Sequence, residues 1–121
     1  LGLERFEDIY RHPAFGAVWE QIVLSNLKGL FPKAEFYFYR TSHGAEIDFV
    51  MVFKGQVIAI ECKASAVPSL SQGNYNAIED IRPVHTFVIT QTLEKRFPLK
   101  EGIDVLGIGE IKTAVENLLF G

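Results

Sequence analysis

A single cysteine, Cys62, stands among the 121 residues, which excludes an internal disulfide. The sequence also lacks a run of about 20 apolar residues, the length that a membrane-spanning helix requires. It contains no G-x-x-x-x-G-K-[ST] loop, so it offers no phosphate cradle of the P-loop type. We therefore expect neither membrane insertion nor an ATP site within this chain. A lone cysteine fits a reducing compartment, and the cytoplasm is the predicted location.

Long stretches of lysine and arginine are absent as well. The 12 basic residues are outnumbered by 15 acidic ones, which gives a formal net charge of −3 and a pI near 5.6. Nucleic-acid-binding proteins usually carry a basic face, because the release of counterions from phosphates supplies much of their affinity. The composition therefore argues against a strong, free-standing DNA-binding protein and leaves room for a local basic rim. Trp19 and the ten phenylalanines are assigned to the core, since no exposed stacking series is recognisable.

The overall composition is that of a globular protein. With 48% hydrophobic and 22% charged residues, the chain has the composition of a folded domain rather than a disordered tail. Its length suits one apolar core, and we expect a single domain over residues 1–121. Because the chain opens on Leu1 rather than Met, we expect it to be a fragment of a larger protein.

Hydrophobic periodicity predicts an α/β order of elements. After a leading segment, residues 1–13, with a short helical piece, apolar residues recur every three or four positions from Ala14 and predict a helix that ends at Phe31-Pro32. Strands are predicted at 34–40, 45–53, 56–64, 85–91 and 104–110, a second helix from a Ser69 or Ser71 cap to Ile81, and a third over 111–119. We expect an α/β fold with a central mixed sheet of about five strands flanked by helices.

The second and third strands are separated by only two residues, Lys54 and Gly55. A two-residue hairpin loop pairs Phe53 with Gln56, and the numbers of every further pair then sum to 109. Both strands are apolar on both faces, as in the covered middle of a sheet. Acidic residues in these strands therefore need an explanation.

The predicted register places Asp48 opposite Glu61, and Glu46 opposite Lys63, with each pair on a shared face. Opposed carboxylates repel, and a divalent cation such as Mg²⁺ or Mn²⁺ on Asp48 and Glu61 removes the repulsion. Such an ion polarises a phosphate and lowers the pKa of a bound water, and Lys63 is placed to stabilise the developing charge. The alternative is a cross-strand ion network without chemistry.

Glu20 extends the candidate site to the first helix. On a helical wheel it falls beside Leu24 and Leu27, on the flank of the face that should be buried. If this helix packs on the sheet, Glu20 reaches the two acids as a further ligand of the metal or of a water. The alternative is a glutamate at the helix edge that turns back to solvent. Arg40 ends the first strand nearby, and it contacts a nucleic-acid backbone or has a purely structural role.

One pattern resembles the D…(D/E)-x-K signature of the PD-(D/E)XK nuclease superfamily. It consists of Asp48 and, after a strand and a turn, Glu61-Cys62-Lys63. Ile47 stands where the superfamily name has proline. Three longer segments, HPAFGAVWEQIV, FYRTSHGAEIDFV and IAIECKAS, together resemble the characteristic segments of the DUF4143 domain. That domain is found at the C-terminus of many bacterial and archaeal ATPases of the AAA type.

The resemblance implies a restriction-endonuclease-like core with Glu20, Asp48, Glu61 and Lys63 at the catalytic positions. It implies Mg²⁺ or Mn²⁺ held by Asp48, Glu61 and Glu20, and phosphodiester bonds of DNA as the substrate. It also implies that an AAA-type ATPase module precedes Leu1 in the parent chain, so that this chain is its C-terminal domain. The alternative function is a catalytically silent module that binds nucleic acid or protein and regulates that ATPase.

Overall fold

The computed structural model of the chain describes residues 13–65, 68–91 and 96–121. The elements assigned in these ranges are α1 Pro13–Leu30, β1 Glu35–Arg40, β2 Glu46–Phe53, β3 Gln56–Cys62, α2 Gln72–Ile81, β4 His85–Thr90, β5 Phe97–Lys100, β6 Ile103–Gly107, a 3-10 turn Ile108–Glu110 and α3 Ile111–Phe120. The helical piece predicted near the start, within residues 1–13, lies outside the described residues except for its last position. Among the described helices, none has the length and apolar character needed to cross a membrane.

The six strands form one mixed sheet in the order β1-β2-β3-β4-β6-β5. β1 to β3 are antiparallel neighbours, β4 runs parallel to both β3 and β6, and β5 closes the far edge antiparallel to β6. One face of the sheet packs on α1 and α3, in a cluster that includes Trp19, Phe49, Phe87 and Val115. The other face packs on α2. Coverage on both faces explains why the middle strands are apolar throughout.

The β2–β3 hairpin has the predicted register. Phe53 pairs with Gln56, and the residue numbers of each further pair sum to 109 as far as Phe49 with Ile60. Lys54 and Gly55 have φ angles of 52° and 76°. Positive φ at both central residues is what a two-residue type I′ loop requires. The register prediction is therefore confirmed for these five pairs.

A β-bulge interrupts the pairing of β2 with β1. Tyr37 pairs with Val50 but Tyr39 pairs with Ile47, so three residues of β1 face four residues of β2. Ile47 and Val50 both pack in the cluster beneath α2, although residues three apart in a regular strand lie on opposite faces. The extra residue falls next to Asp48. A bulge re-aims side chains, and this one releases Asp48 from the alternation that the register prediction assumed.

Two strand predictions need correction. The sheet has six strands rather than about five, because Phe97–Lys100 adds an edge strand that the sequence did not predict. It is four residues long and contains Pro98, which edge strands tolerate because one side of the strand needs no ladder partner. The strand predicted over 104–110 ends at Gly107 and continues as a 3-10 turn.

Candidate functional site

At the end away from the hairpin loop, β2 and β3 separate, and two carboxylates bridge the gap. Asp48 Oδ2 accepts a hydrogen bond from the backbone N–H of Cys62 at 2.8 Å. Glu61 Oε1 accepts one from the backbone N–H of Asp48 at 3.0 Å. The ladder itself ends one pair earlier, at Phe49 and Ile60. The two acids are brought together as predicted, but through side-chain to backbone bonds rather than as an opposed pair in a continued ladder.

The strands separate because each follows a different neighbour. β2 remains paired with β1 up to Glu46, opposite Arg40. β3 remains paired with β4 up to Cys62, opposite Ile89, and the N–H of Lys63 donates to the Ile89 carbonyl at 3.1 Å. Buried N–H groups without an acceptor cost about 1–3 kcal/mol each. The two carboxylates remove that cost at the point of separation.

The predicted pairing of Glu46 with Lys63 is wrong for the same reason. Glu46 Oε2 lies 3.5 Å from Arg40 Nε, on the neighbouring strand β1. Lys63 Nζ lies 3.3 Å from Glu61 Oε2, the carboxylate two residues earlier in the chain. Lys63 therefore stands beside the acid pair as a cation in direct contact with one member.

Helix α1 carries Glu20 to this pair. Its carboxyl meets that of Asp48, and a hydrogen bond joins the two when Glu20 is protonated. Trp19, the preceding residue, is buried and donates its Nε1–H to the Ile89 carbonyl at 3.1 Å. That carbonyl also accepts the N–H of Lys63. One carbonyl of β4 thus fixes both the helix beside Glu20 and the end of β3.

Negative charge accumulates at this point. Burial, together with the Asp48 carboxylate, raises the pKa of Glu61 to about 7, while Lys63 and the Asp48 N–H act to lower it. Burial likewise raises the pKa of Glu20, with Asp48 adding to the effect and Arg40 opposing it. Glu61 is only 6% exposed. Three acids in partial burial thus outweigh the cations beside them, and further positive charge would stabilise their ionised forms.

The donor set is the kind that Mg²⁺ and Mn²⁺ prefer, because carboxylate oxygens are ligands for hard cations. In the described ranges, no group of three or more His, Cys, Asp and Glu side chains is arranged as a ready metal site. The acids meet in pairs, Glu20 with Asp48 and Asp48 with Glu61. Mg²⁺ usually takes one or two carboxylates and keeps several waters. The Asp48 and Glu61 pair therefore fits such an ion without a closed protein cage.

A cleft of about 370 Å³ opens beside Asp48, where β1 forms the edge of the sheet. Its lining residues are Glu20, Phe38, Tyr39, Arg40, Glu46, Ile47 and Asp48. Phe38 is 77% exposed, so the assignment of every phenylalanine to the core is wrong at this position. Glu20 and Asp48 are thus reachable from solvent along the β1 edge, whereas Glu61 lies buried behind them.

Asn74 is a supporting residue that sequence reasoning missed. It is buried in the first turn of α2, and its Nδ2 donates to the Glu46 carbonyl at 2.8 Å. Its Oδ1 accepts the Ser71 N–H, while its own N–H donates to Ser71 Oγ. This reciprocal cap selects Ser71 from the two predicted capping serines and ties α2 to the start of β2. The S-x-x-N spacing was the available signal, since it matches a capping box with a shorter side chain.

Cys62 lies between Glu61 and Lys63 in the sequence, but its side chain does not face the candidate site. Its side chain is buried in the core cluster beneath α1 and α3. Burial, together with the nearby carboxylates, strongly raises the pKa of its thiol. The Cys62 side chain therefore belongs to the core rather than to the candidate site.

Trp19→Phe tests the anchor that holds α1 beside Glu20. We expect the free energy of unfolding to fall by about 1–2 kcal/mol, because a buried hydrogen bond and part of a large ring are lost. The Ile89 carbonyl keeps the Lys63 N–H as a partner, which limits the loss. Urea denaturation followed by circular dichroism measures the change. Tyr37→Phe, at an exposed aromatic, serves as the control and should change stability little. Equal stability of wild type and Trp19→Phe would show that the anchor contributes nothing.

Comparison with known proteins adds a family and two relatives. A family model described as "Domain of unknown function (DUF4143)" matches residues 15–111. Uncharacterized protein Mb2031c of Mycobacterium bovis and Uncharacterized protein Rv2008c of Mycobacterium tuberculosis are each 31% identical over 121 residues. The match covers 98% of this chain and 27% of each relative, so the chain spans about a quarter of their length. No solved structure gives a significant match.

Proposed function

Because this chain belongs to the DUF4143 family, whose function is unknown, its activity must be inferred from the site, and we propose a metal-dependent nuclease domain with a PD-(D/E)XK core. The reaction is hydrolysis of phosphodiester bonds, with DNA as the first substrate to test. In this proposal the six-stranded mixed sheet corresponds to a restriction-endonuclease-like core, with α1 carrying Glu20 across it.

One observation carries the proposal. Asp48 and Glu61 meet where β2 and β3 separate, Glu20 joins them from α1, and Lys63 stands 3.3 Å from Glu61. A purely structural network would favour balanced charges, because ionised groups in partial burial need partners. The pKa values of Glu61 and Glu20 are instead raised, first by burial and second by the Asp48 carboxylate, so the cations beside these acids do not compensate them fully. Strongly perturbed acids beside a cleft are typical of functional sites.

The residues have distinct roles in this proposal. Asp48 and Glu61 would hold Mg²⁺ or Mn²⁺, with Glu20 as a further ligand of the ion or of its waters. A bound ion would polarise the phosphate and lower the pKa of a water, so that hydroxide is available near neutral pH. Lys63 donates to the phosphate oxygens and stabilises the charge that grows on them. Glu20, whose pKa is raised, accepts a proton from the attacking water. Arg40, at the rim of the cleft, binds a neighbouring phosphate.

The larger protein gives the domain a context. The chain spans 27% of the length of its relatives, and we propose that the remainder of the parent protein carries an ATPase module of the AAA type. Acidic net charge is compatible with this arrangement, because an attached module can supply the basic surface that long nucleic acids need. This chain then supplies the site for bond cleavage.

The direct test is cleavage by the purified chain of end-labelled single-stranded and double-stranded oligonucleotides with Mn²⁺, Mg²⁺ or chelator. We expect products with either cation and none with chelator. Calorimetry with Mn²⁺ alone, at pH 8, is expected to show binding to the same protein. Cleavage that persists in chelator would refute the metal mechanism, and absence of cleavage under every condition despite Mn²⁺ binding would refute hydrolysis.

A second candidate function is a silent module that binds nucleic acid or protein and regulates the attached ATPase. It is favoured by the finding that the described residues hold no ready metal group and that Lys63 is already engaged by Glu61. In that case Mn²⁺ does not bind, and the Glu61→Gln and Lys63→Met variants behave as the wild type in every assay of the parent protein. Calorimetry separates the two candidates first.

A further inference from the structure

An exposed aromatic ring stands at the mouth of the cleft. Phe38 is 77% exposed, the largest exposed fraction of any large apolar side chain in the described residues. Its ring packs against the buried Phe49 at 5.7 Å between centroids, with the planes at 49°. One side of the Phe38 ring is therefore supported by the core while the rest faces solvent. Large apolar side chains in this situation mark binding sites when they line a cleft.

The β-bulge lies directly opposite this ring. Three residues of β1 centred on Phe38 face four residues of β2, Asp48 among them. Phe36 and Phe38 share a face of β1, and Phe36 packs with the core beneath α1. At the next position on this face the helix presents Glu20 rather than an apolar side chain, and the cleft opens. The aromatic thus remains uncovered beside the acids.

Arg40 completes the arrangement. Residues two apart on a strand lie on the same face, so Phe38 and Arg40 point to the same side of β1. The Arg40 side chain is 81% exposed and its Nε lies 3.5 Å from Glu46. Both residues line the cleft with Asp48. A flat apolar surface and a guanidinium on the edge strand thus line the same cleft as the Glu20 and Asp48 carboxylates.

We propose that Phe38 stacks on an unpaired nucleobase and Arg40 binds an adjacent phosphate, so that the cleft accepts single-stranded nucleic acid. The proposal rests on the nuclease site described above and specifies its substrate. Bases in a duplex have their faces covered by their neighbours, whereas unpaired bases stack readily on aromatic side chains. One exposed ring at the edge strand can reach an unpaired base but has no access to a stacked one.

The test is binding of a fluorescent 12-mer single strand, as DNA or as RNA, compared with the same sequence as a duplex, in Mn²⁺. Anisotropy reports binding, and a gel run at the time of reading confirms that the strand is intact. We expect Phe38→Ala to weaken single-strand binding about tenfold and to leave duplex binding unchanged. Phe38→Trp should retain or improve binding. Phe38→Leu should bind as weakly as Phe38→Ala, because it keeps apolar volume without a flat face.

Phe120→Ala is the matched control, since Phe120 is also exposed but packs on Phe53 at the hairpin end of β2. The proposal is overturned if Phe38→Ala binds single strands as the wild type does, if Phe38→Leu is as good as wild type, or if Phe120→Ala shows the same loss. It is also overturned if Phe38→Ala dissociates a dimer in sedimentation analysis, because the ring then contacts a second copy.

The outcomes for stacking and for cleavage are separable. Single-strand binding that depends on Phe38, without cleavage, supports the proposal and refutes the nuclease. Cleavage of a single strand, at limiting substrate, that Phe38→Ala leaves unchanged supports the nuclease and refutes the proposal. Tighter binding of either the deoxyribose or the ribose strand through Phe38 supports stacking and identifies the preferred sugar.

Discussion

Lys63→Met is expected to retain Mn²⁺ binding while cleavage falls by about 100-fold or more. The methionine side chain has nearly the length of lysine but has no charge or donor for the phosphate. The proposed metal ligands Asp48 and Glu61 remain, so calorimetry at pH 8 should show binding close to that of the wild type. Single-turnover cleavage of a labelled oligonucleotide measures the rate. Separation of the two properties is what distinguishes a catalytic lysine from a merely structural one.

Asp48→Asn is the companion variant, and we expect it to lose both Mn²⁺ binding and cleavage. Asparagine keeps an oxygen to accept the Cys62 N–H, so the strand ends should remain in place. It removes the charge that attracts the cation, and Mn²⁺ binding should become undetectable. Lys28→Met, on the exposed last turn of α1, controls for loss of a lysine. Cleavage by Lys63→Met at the wild-type rate, or Mn²⁺ binding by Asp48→Asn, would contradict the assigned roles.

Glu61→Gln is expected to stabilise the metal-free protein above pH 7. The folded state holds a proton on Glu61 with a pKa of about 7, against an ordinary value of 4.5. The folded state therefore binds more protons than the unfolded state between these values, and the stability of the wild type falls as pH rises through that window. The difference corresponds to about 3 kcal/mol at most. Loss of the contact with Lys63 reduces the net gain to on the order of 2 kcal/mol.

Urea denaturation at pH 5 and pH 8 in chelator measures this effect. We expect the two proteins to differ little near pH 5 and the variant to be the more stable one at pH 8. Added Mn²⁺ should then stabilise the wild type and leave Glu61→Gln nearly unchanged, because only the ionised carboxylate attracts the ion. Glu79→Gln, at an exposed position of α2, should show neither effect. A variant that is less stable than wild type at pH 8 would show that Glu61 is a stabilising part of the fold rather than a strained functional acid.

The parts of this fold that depend on local chemistry were predictable from the sequence. Two residues between Phe53 and Gln56 permit one tight loop, and the loop sets the register of the whole hairpin. The end of α1 near Pro32 is predictable because proline has no backbone N–H to donate. The Ser71 cap is predictable because a serine oxygen can accept a free N–H in the first turn of a helix. The position of Glu20 beside Asp48 was predictable because a helix flank among leucines is a costly place for a charge without a partner.

The parts that depend on distant neighbours were not predictable. The ladder stops before Asp48 because β3 follows β4, which lies more than twenty residues further along the chain. The bulge next to Asp48 depends on how β1 fits against β2, and no residue type in either strand demands it. Exposure of Phe38 depends in the same way on a distant neighbour, since Glu20 of α1 lines the cleft beside it. β5 has only four residues and a proline, so no periodic pattern is long enough to reveal it.

The hydrogen bonds of Asp48 and Glu61 to backbone N–H groups have an evolutionary consequence. A descendant that had lost the proposed nuclease activity would still need an oxygen acceptor at these two places, so selection for folding alone would retain Asp or Asn at position 48 and Glu or Gln at position 61. Glu20 and Lys63 instead contact the carboxylates through their side chains. In other members of the family, replacement of Glu20 or Lys63, or an amide at position 48 or 61, is therefore the sequence change that would mark a lineage without the proposed nuclease activity.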